Sequence, residues 1–135
     1  MTEVFEHLRD YPLRSLEQVR RVLKPGGRLY FTTPNSASLI NRLRTLGGKS
    51  TATPLADWMH GIPHARHARE YTFAEIDTLM EHAGLRILSR QSRHFHVDSG
   101  RAGLARPGKQ LIDALSRVYP RIGPTIIVVA ERSAM

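Results

Sequence analysis

A chain of 135 residues without cysteine builds one domain with a modest core, and excludes disulfides and thiolate metal sites. No apolar run approaches the length of a membrane span, and the start, with Glu3, Glu6, His7 and Arg9, lacks a signal-peptide core, so a soluble cytoplasmic protein is expected. The net charge of +8 suits an anionic partner, but the cations are scattered and almost all arginine, lysine occurring only at Lys24, Lys49 and Lys109, which favours solvated helix faces over a nucleic-acid surface.

The first stretch, Glu3-Val4-Phe5-Glu6-His7-Leu8, sets two acids and an imidazole close together. From Pro12, apolar residues recur at three- and four-residue steps (Leu13, Leu16, Val19, Leu23), which predicts an amphipathic helix with Asp10 as N-cap and Pro12 in its first turn. Lys24-Pro25-Gly26-Gly27 ends it, because Pro25 lacks the N–H that a continuing helix needs and the glycines can take left-handed backbone. Arg28-Leu29-Tyr30-Phe31-Thr32-Thr33 then favours a strand, closed by Pro34, which cannot donate to a ladder. Ligands of open α/β sheets bind at that C-terminal edge, so Pro34 and Asn35 are candidate substrate contacts; the structural alternative for Asn35 is to cap the next helix.

Ser36 is placed to cap a second helix with Leu39, Ile40, Leu43 and Leu46 on its apolar stripe, ended by Gly47-Gly48. Residues 47–70 lack periodicity and hold Pro54, Gly61 and Pro63 with Trp58, His60, His64 and His67, so a long loop or lid is expected there. Trp58 and Tyr71 are candidate substrate contacts of that lid, the alternative for Trp58 being an apolar anchor beneath the loop. Thr72-Phe73-Ala74-Glu75 is a capping box for a helix carrying Phe73, Ile76, Leu79, Met80 and Ala83, stopped by Gly84. Leu85 to Ser89 opens a second strand running towards Phe95. An insertion at 97–109, rich in Gly and Arg from Ser99 to Gly108, precedes a helical pattern of Leu111, Ile112, Leu115 and Val118. Thr125 to Glu131 shows no alternation, which marks a strand buried on both faces.

These elements predict an α/β fold of three strands with flanking helices. Right-handed crossover makes the Arg28 and Leu85 strands parallel, and the Thr125 strand fits antiparallel between them. The Arg28 strand is left with an open outer edge, along which a partner chain or a second copy can pair.

Four motifs then stand in an order that resembles class I S-adenosylmethionine-dependent methyltransferases. They are Glu3-Val4-Phe5-Glu6-His7-Leu8, Arg21-Val22-Leu23-Lys24-Pro25-Gly26-Gly27, Thr33-Pro34-Asn35, and His67-Ala68-Arg69-Glu70-Tyr71-Thr72 before a helix ending Ala83-Gly84. The resemblance spans most of Glu3 to Arg90. It implies a partial Rossmann-like methyltransferase sheet, with the three strands as fifth, sixth and seventh of a seven-stranded sheet. It also implies S-adenosylmethionine as cofactor and Glu3 as a cofactor-binding residue just beyond a fourth strand. The family's Gly-rich loop and its acidic ribose-binding residue have no counterpart, since neither Gly26-Gly27 nor Gly47-Gly48 forms a Gly-x-Gly loop between a strand and a helix. Residues 1–135 therefore read as the C-terminal portion of a methyltransferase domain, expected to be inactive alone, with Met1 an internal start, a gene-model artefact or the start of one subunit of a split enzyme.

In the family, methyl transfer is an in-line displacement from the sulfonium, with the protein positioning both reactants and sometimes supplying a base. His7, beside Glu6, is the candidate catalytic base, because a neutral imidazole accepts a hydroxyl proton near neutral pH. The alternative is that both residues open a helix and pair on its surface. Glu3, Glu6, His7 and His67 also make a candidate divalent-metal set for Mg²⁺ or Mn²⁺, similar to that of metal-dependent small-RNA 2′-O-methyltransferases. Solvated loop residues are the commoner reading of His60, His64 and His67. The expected acceptor is a small molecule, a sugar or glycan, or a lipid-linked compound. The rival readings are a non-catalytic or split-enzyme subunit pairing with a cofactor-binding partner chain, and an enzyme acting on RNA.

Overall fold

The computed structural model describes residues 1–9, 11–52, 55–60, 67–93 and 106–133. Helix α1 (Pro12–Val22) begins where Pro12 presets the helical φ and has no N–H to leave unpaired. Its N-cap is Tyr11, in left-handed backbone at φ 52 with no side-chain cap bond; the expected cap, Asp10, lies outside the described residues. Leu16 is fully buried, with Leu13, Val19 and Leu23 packed beside it, as the spacing predicts. The C-terminal turn of α1 leaves carbonyls without intrahelical partners, and Arg132, from the far end of the chain, closes it. Its Nη1 donates to the carbonyls of Arg20, Arg21 and Leu23 at 3.2, 3.3 and 2.7 Å.

After α1 the chain turns at Gly26, whose φ of 74 suits a residue without Cβ, and enters β1 (Arg28–Pro34). Strand β3 (Thr125–Arg132) lies between β1 and β2 (Leu85–Ser92), in the order β1-β3-β2. Both ladders are antiparallel, from Arg28↔Glu131 to Pro34↔Thr125 and from Leu85↔Arg132 to Ser92↔Ile126, with an irregularity between Ile87 and Ser89. Strands β1 and β2 therefore point the same way without touching, and both C-terminal ends meet one edge of the sheet. Thr125, Ile126, Ile127, Val128 and Ala130 are buried, as expected for a central strand covered on both faces. Strand β2 ends at Ser92; Phe95 lies outside the described residues.

Helix α2 (Leu39–Leu46) is capped by Ser38, which accepts from the N–H of Asn41, and not by Ser36. Leu43 and Leu46, expected on a buried stripe, are exposed. Within the expected loop at 47–70 a short helix α3 (Leu55–Met59) forms; His64 and the other residues at 61–66 lie outside the described residues. Helix α4 (Phe73–His82) has the full capping box, with Thr72 Oγ1 accepting from Glu75 N at 3.2 Å and Glu75 Oε2 accepting from Thr72 N at 2.8 Å. Phe73, Ile76 and Met80 bury its apolar face against α1 and β2. Helix α5 (Arg106–Val118) begins inside the expected insertion, whose residues at 97–105 lie outside the described ones, and packs against β2. Of its apolar residues Ile112 is buried, whereas Leu111, Leu115 and Val118 are exposed, contrary to the core stripe their spacing predicts.

The outer edge of β1 is partly occupied. Thr2 forms a parallel bridge with Thr32: Thr32 N donates to the carbonyl of Met1 at 3.0 Å, and Glu3 N donates to the carbonyl of Thr32 at 3.2 Å. The terminal ammonium continues this ladder by donating to the carbonyl of Tyr30 at 2.7 Å. Among the described residues no helix is long and apolar enough to cross a membrane.

Candidate functional site

The 3-10 turn Phe5–His7 follows the edge-pairing residues directly. Phe5 anchors it, fully buried, with its ring edge-on to Phe31 at 5.1 Å and tilted against Tyr71 at 5.0 Å. That anchor carries its neighbour Glu6 inside, where it is 1% exposed. A buried carboxylate needs hydrogen-bond donors, and Glu6 Oε2 accepts from the Thr33 hydroxyl at 3.0 Å. Its Oε1 is 3.9 Å from His7 Nε2. Thr33 reads in the sequence as a β-former; its role at Glu6 depends on which face of β1 it lies on.

The backbone carbonyl of Glu6 accepts from the N–H groups of Ala68 and Arg69 at 2.6 and 3.2 Å, and so ties the segment before α4 to this turn. His67 thereby arrives beside His7, the two rings edge to face with centroids 5.1 Å apart. His67 Nδ1 is 2.8 Å from Glu70 Oε1. That hydrogen bond raises the imidazole pKa above its ordinary 6.5; burial opposes it, and the charges of Glu70, Glu6 and Glu3 reinforce it. Glu6, His7 and His67 each offer one ligand atom, all within 4.8 Å of one another. Glu3 stands outside this trio: its backbone is at φ 49, and its Oε1 accepts from the Thr32 hydroxyl at 2.9 Å.

The remaining sequence candidates stand in the fold as follows. Pro34 ends β1, half-buried opposite Thr125. Asn35 is 1% exposed, and its Nδ2 donates to the carbonyls of Arg121 and Gly123 at 3.0 and 2.7 Å. Its Oδ1 accepts from Ala37 N at 3.0 Å. Both amide hydrogens are thus engaged in joining the exit of β1 to the turn before β3. Tyr71 is a core residue, 2% exposed, with the Arg69 guanidinium 5.4 Å over its ring. Burial raises the pKa of its phenol. Tyr71 also lines a hollow of about 260 Å³ with Pro12, Arg69, Glu75 and Leu79. Trp58 belongs to α3, and its side chain lies outside the described residues.

Residues 1–90, which hold the edge ladder, the Glu6 turn and α4, match the family described as methyltransferase domain. The chain belongs to this family. The methyltransferase domain has similar solved structures from archaea and bacteria. The Haloferax volcanii complex between the Trm112 methyltransferase activator and a protein described as a methyltransferase matches at TM-score 0.54 and 19% identity, covering 99% of this chain and 52% of that one. A Bacillus halodurans protein described as a methyltransferase matches at TM-score 0.57 and 15% identity, covering 98% and 68%. An S-adenosylmethionine-dependent methyltransferase from Archaeoglobus fulgidus matches at TM-score 0.54 and 15% identity, covering 97% and 57%. These identities show a shared fold, and this methyltransferase domain spans about half to two thirds of those chains. No curated protein matches it.

Proposed function

We propose that residues 1–135 form the acceptor-side, C-terminal portion of an S-adenosylmethionine-dependent methyltransferase, inactive without a cofactor-binding portion. In this reading β1, β2 and β3 are the fifth, sixth and seventh strands of a Rossmann-like sheet. The observation that carries it is the segment Met1–Glu3. Thr2 bridges Thr32 in parallel, and Met1 continues the ladder to Tyr30. The alternation of β1 turns the N–H groups of Tyr30 and Arg28 to the same edge, where a parallel strand leading into Thr2 would take them up. Glu3 then stands at the C-terminal end of that strand, where the family places a cofactor contact. One carboxylate, already bonded to Thr32, is too little to hold a sulfonium, a ribose and an adenine. When bound, the cofactor supplies the electrophilic methyl group.

The residues of this chain supply the acceptor side. His7, with the Glu6 carboxylate to stabilise its charged form, takes the proton of the acceptor hydroxyl. Pro34 and Tyr71 border the acceptor at the C-terminal edge. The acceptor is a small molecule, a sugar or a lipid-linked compound. The companion reading is that the cofactor-binding portion is a separate chain pairing along β1.

Calorimetry with S-adenosylmethionine tests this directly, and micromolar binding by the chain alone would overturn it. Hydrogen exchange supplies a second test: the amides of Arg28 and Tyr30 should exchange fast while those of Leu29, Phe31 and Thr33 are protected by β3. Uniform protection along β1 in a monomer would remove the physical basis of the pairing edge. In the assembled enzyme, His7→Asn should lower kcat by about 10²–10⁴.

The trio Glu6, His7 and His67 supports a second reading, a divalent cation at this place. Glu70 at Nδ1 of His67 leaves Nε2 for a cation, and a carboxylate commonly orients a ligating imidazole in this way. The raised pKa of His67 works against it, because a ligand must be deprotonated. Activity of the assembled enzyme that is unchanged by chelator and by added Mn²⁺ would end this second reading.

A further inference from the structure

The end of β2 and the last turns of α5 enclose a hollow of about 250 Å³ lined by Arg90, Gln91, Ser92, Arg93, Ser116 and Arg117. Among the described residues no carboxylate lines it. Arg90 is paired with Asp77 at 2.8 Å, whereas neither Arg93 nor Arg117 has an acidic partner among the described residues. A concavity lined by one sign of charge concentrates counter-ions, and like charges held near one another repel until an anion joins them.

The floor of the hollow is uncharged and already bonded. Ser92 and Ser116 are both buried, the Ser92 hydroxyl donating to the Thr125 carbonyl at 2.7 Å and the Ser116 hydroxyl to the Asp113 carbonyl at 3.0 Å. With those hydroxyl protons engaged, the side chains left to donate to an anion are the arginines and the Gln91 amide. The hollow lies where β2 ends, at the C-terminal edge along which open α/β sheets bind ligands. Its floor is joined to the exit of β1: Gly123 packs so closely on Ser92 and Ser116 that a Cβ has no room, and its carbonyl accepts from Asn35 Nδ2.

Charge and volume narrow the ligand. A phosphate monoester carries about −1.5 to −2 charges near neutral pH on three acceptor oxygens, which matches the unpaired Arg93 and Arg117 together. A carboxylate brings a single charge, and would leave one of the two guanidinium groups uncompensated. Guanidinium forks also fit phosphate oxygens in pairs. A volume of about 250 Å³ equals that of about eight liquid waters, more than a bare phosphate displaces, so an organic group can enter with it.

We infer that this hollow binds a small phosphate monoester, with Arg93 and Arg117 taking the phosphate oxygens and the rest of the hollow taking the organic group. The site uses none of Glu3, Glu6, His7 or His67, so it is independent of the methyl-transfer reading.

Calorimetric titration of the full chain with glycerol phosphate at constant ionic strength tests the assignment. Saturable binding is expected, with inorganic phosphate and glycerate both weaker. A charge-assisted hydrogen bond is worth about tenfold or more in affinity, so R93Q/R117Q should weaken binding about 100-fold. R14Q/R44Q removes the same net charge from α1 and α2, and should bind as the wild type does. All four side chains are exposed, so both variants should keep the wild-type melting temperature. Absence of saturable binding would overturn the assignment, as would an equal loss in both variants, which would show a response to net charge alone. Inorganic phosphate binding as tightly as the ester would overturn it in favour of a site for free phosphate, and glycerate binding as tightly would mark a carboxylate site instead.

Discussion

Replacing Asn35 by Ala tests whether this buried amide holds the sheet together. The change removes two donors and one acceptor, and leaves the carbonyls of Arg121 and Gly123 and the N–H of Ala37 without their present partner. The bond to Gly123 is buried, whereas the other two are part-buried and can recover a water. A buried polar group left unpaired costs about 1–3 kcal/mol. Taking the full cost for Gly123 and about half for each of the others gives twice that cost, a loss of about 4 kcal/mol at the middle of the range. For a domain of this size that lowers the melting temperature by about 14 °C. Urea denaturation should show a lower midpoint with an unchanged slope, since the surface exposed on unfolding stays the same. Asn35→Asp should lose about as much, because a carboxylate cannot donate to either carbonyl. A loss below about 1 kcal/mol with the fold intact would refute this accounting, and would return Asn35 to the substrate edge as its main role.

Arg132→Met keeps the aliphatic stem but uncaps α1, and should cost about 1–2 kcal/mol in urea denaturation, with Lys restoring part of it. Gly123→Ala would set a Cβ 1.9 Å from Ser92 Oγ and 2.5 Å from Ser92 Cβ, so a loss of about 2–3 kcal/mol is expected. Because Ser92 Cβ is itself part of that clash, Ser92→Ala should not rescue it. Glu70→Gln should lower stability in acid more than in base. The folded pKa of His67 is raised above 6.5, so the stabilisation from Glu70 is complete below 6.5 and is lost as pH rises through the folded value. Melting curves of both proteins should therefore lie furthest apart near about pH 5.5 and converge by about pH 9, and an equal gap at both would rule the pair out as its cause.

Much of the fold was legible because local causes agreed with global ones. Pro25 and Gly26 stop a helix whatever surrounds them, and the capping box at Thr72 and Glu75 works within a single turn. The unbroken apolar run from Ile126 to Ala130 requires a central strand. Apolar spacing was misleading on α2 and α5, because periodicity names a face without naming what covers it: Leu43, Leu46, Leu111, Leu115 and Val118 have helical spacing and remain exposed. Capping by Ser38 instead of Ser36 is a similar ambiguity, since either serine can open a helix and the chain takes the one directly before Leu39.

The sequence by itself determined the helix-to-strand units, the central place of Thr125–Arg132 and the order of motifs that marks a methyltransferase domain. These follow from steric and hydrophobic preferences that act over a few residues. Only the tertiary structure decided which polar groups meet. Glu6 enters the core because Phe5 is anchored between Phe31 and Tyr71, and His67 reaches His7 because Ala68 and Arg69 bond to the Glu6 carbonyl. Asn35 holds Gly123, and Arg132 caps α1, across most of the chain's length. Such contacts join residues far apart in sequence, and their partners are fixed by the register of the sheet. A one-residue shift of that register would turn Thr33 away from Glu6 and dissolve the site while leaving every local signal in place.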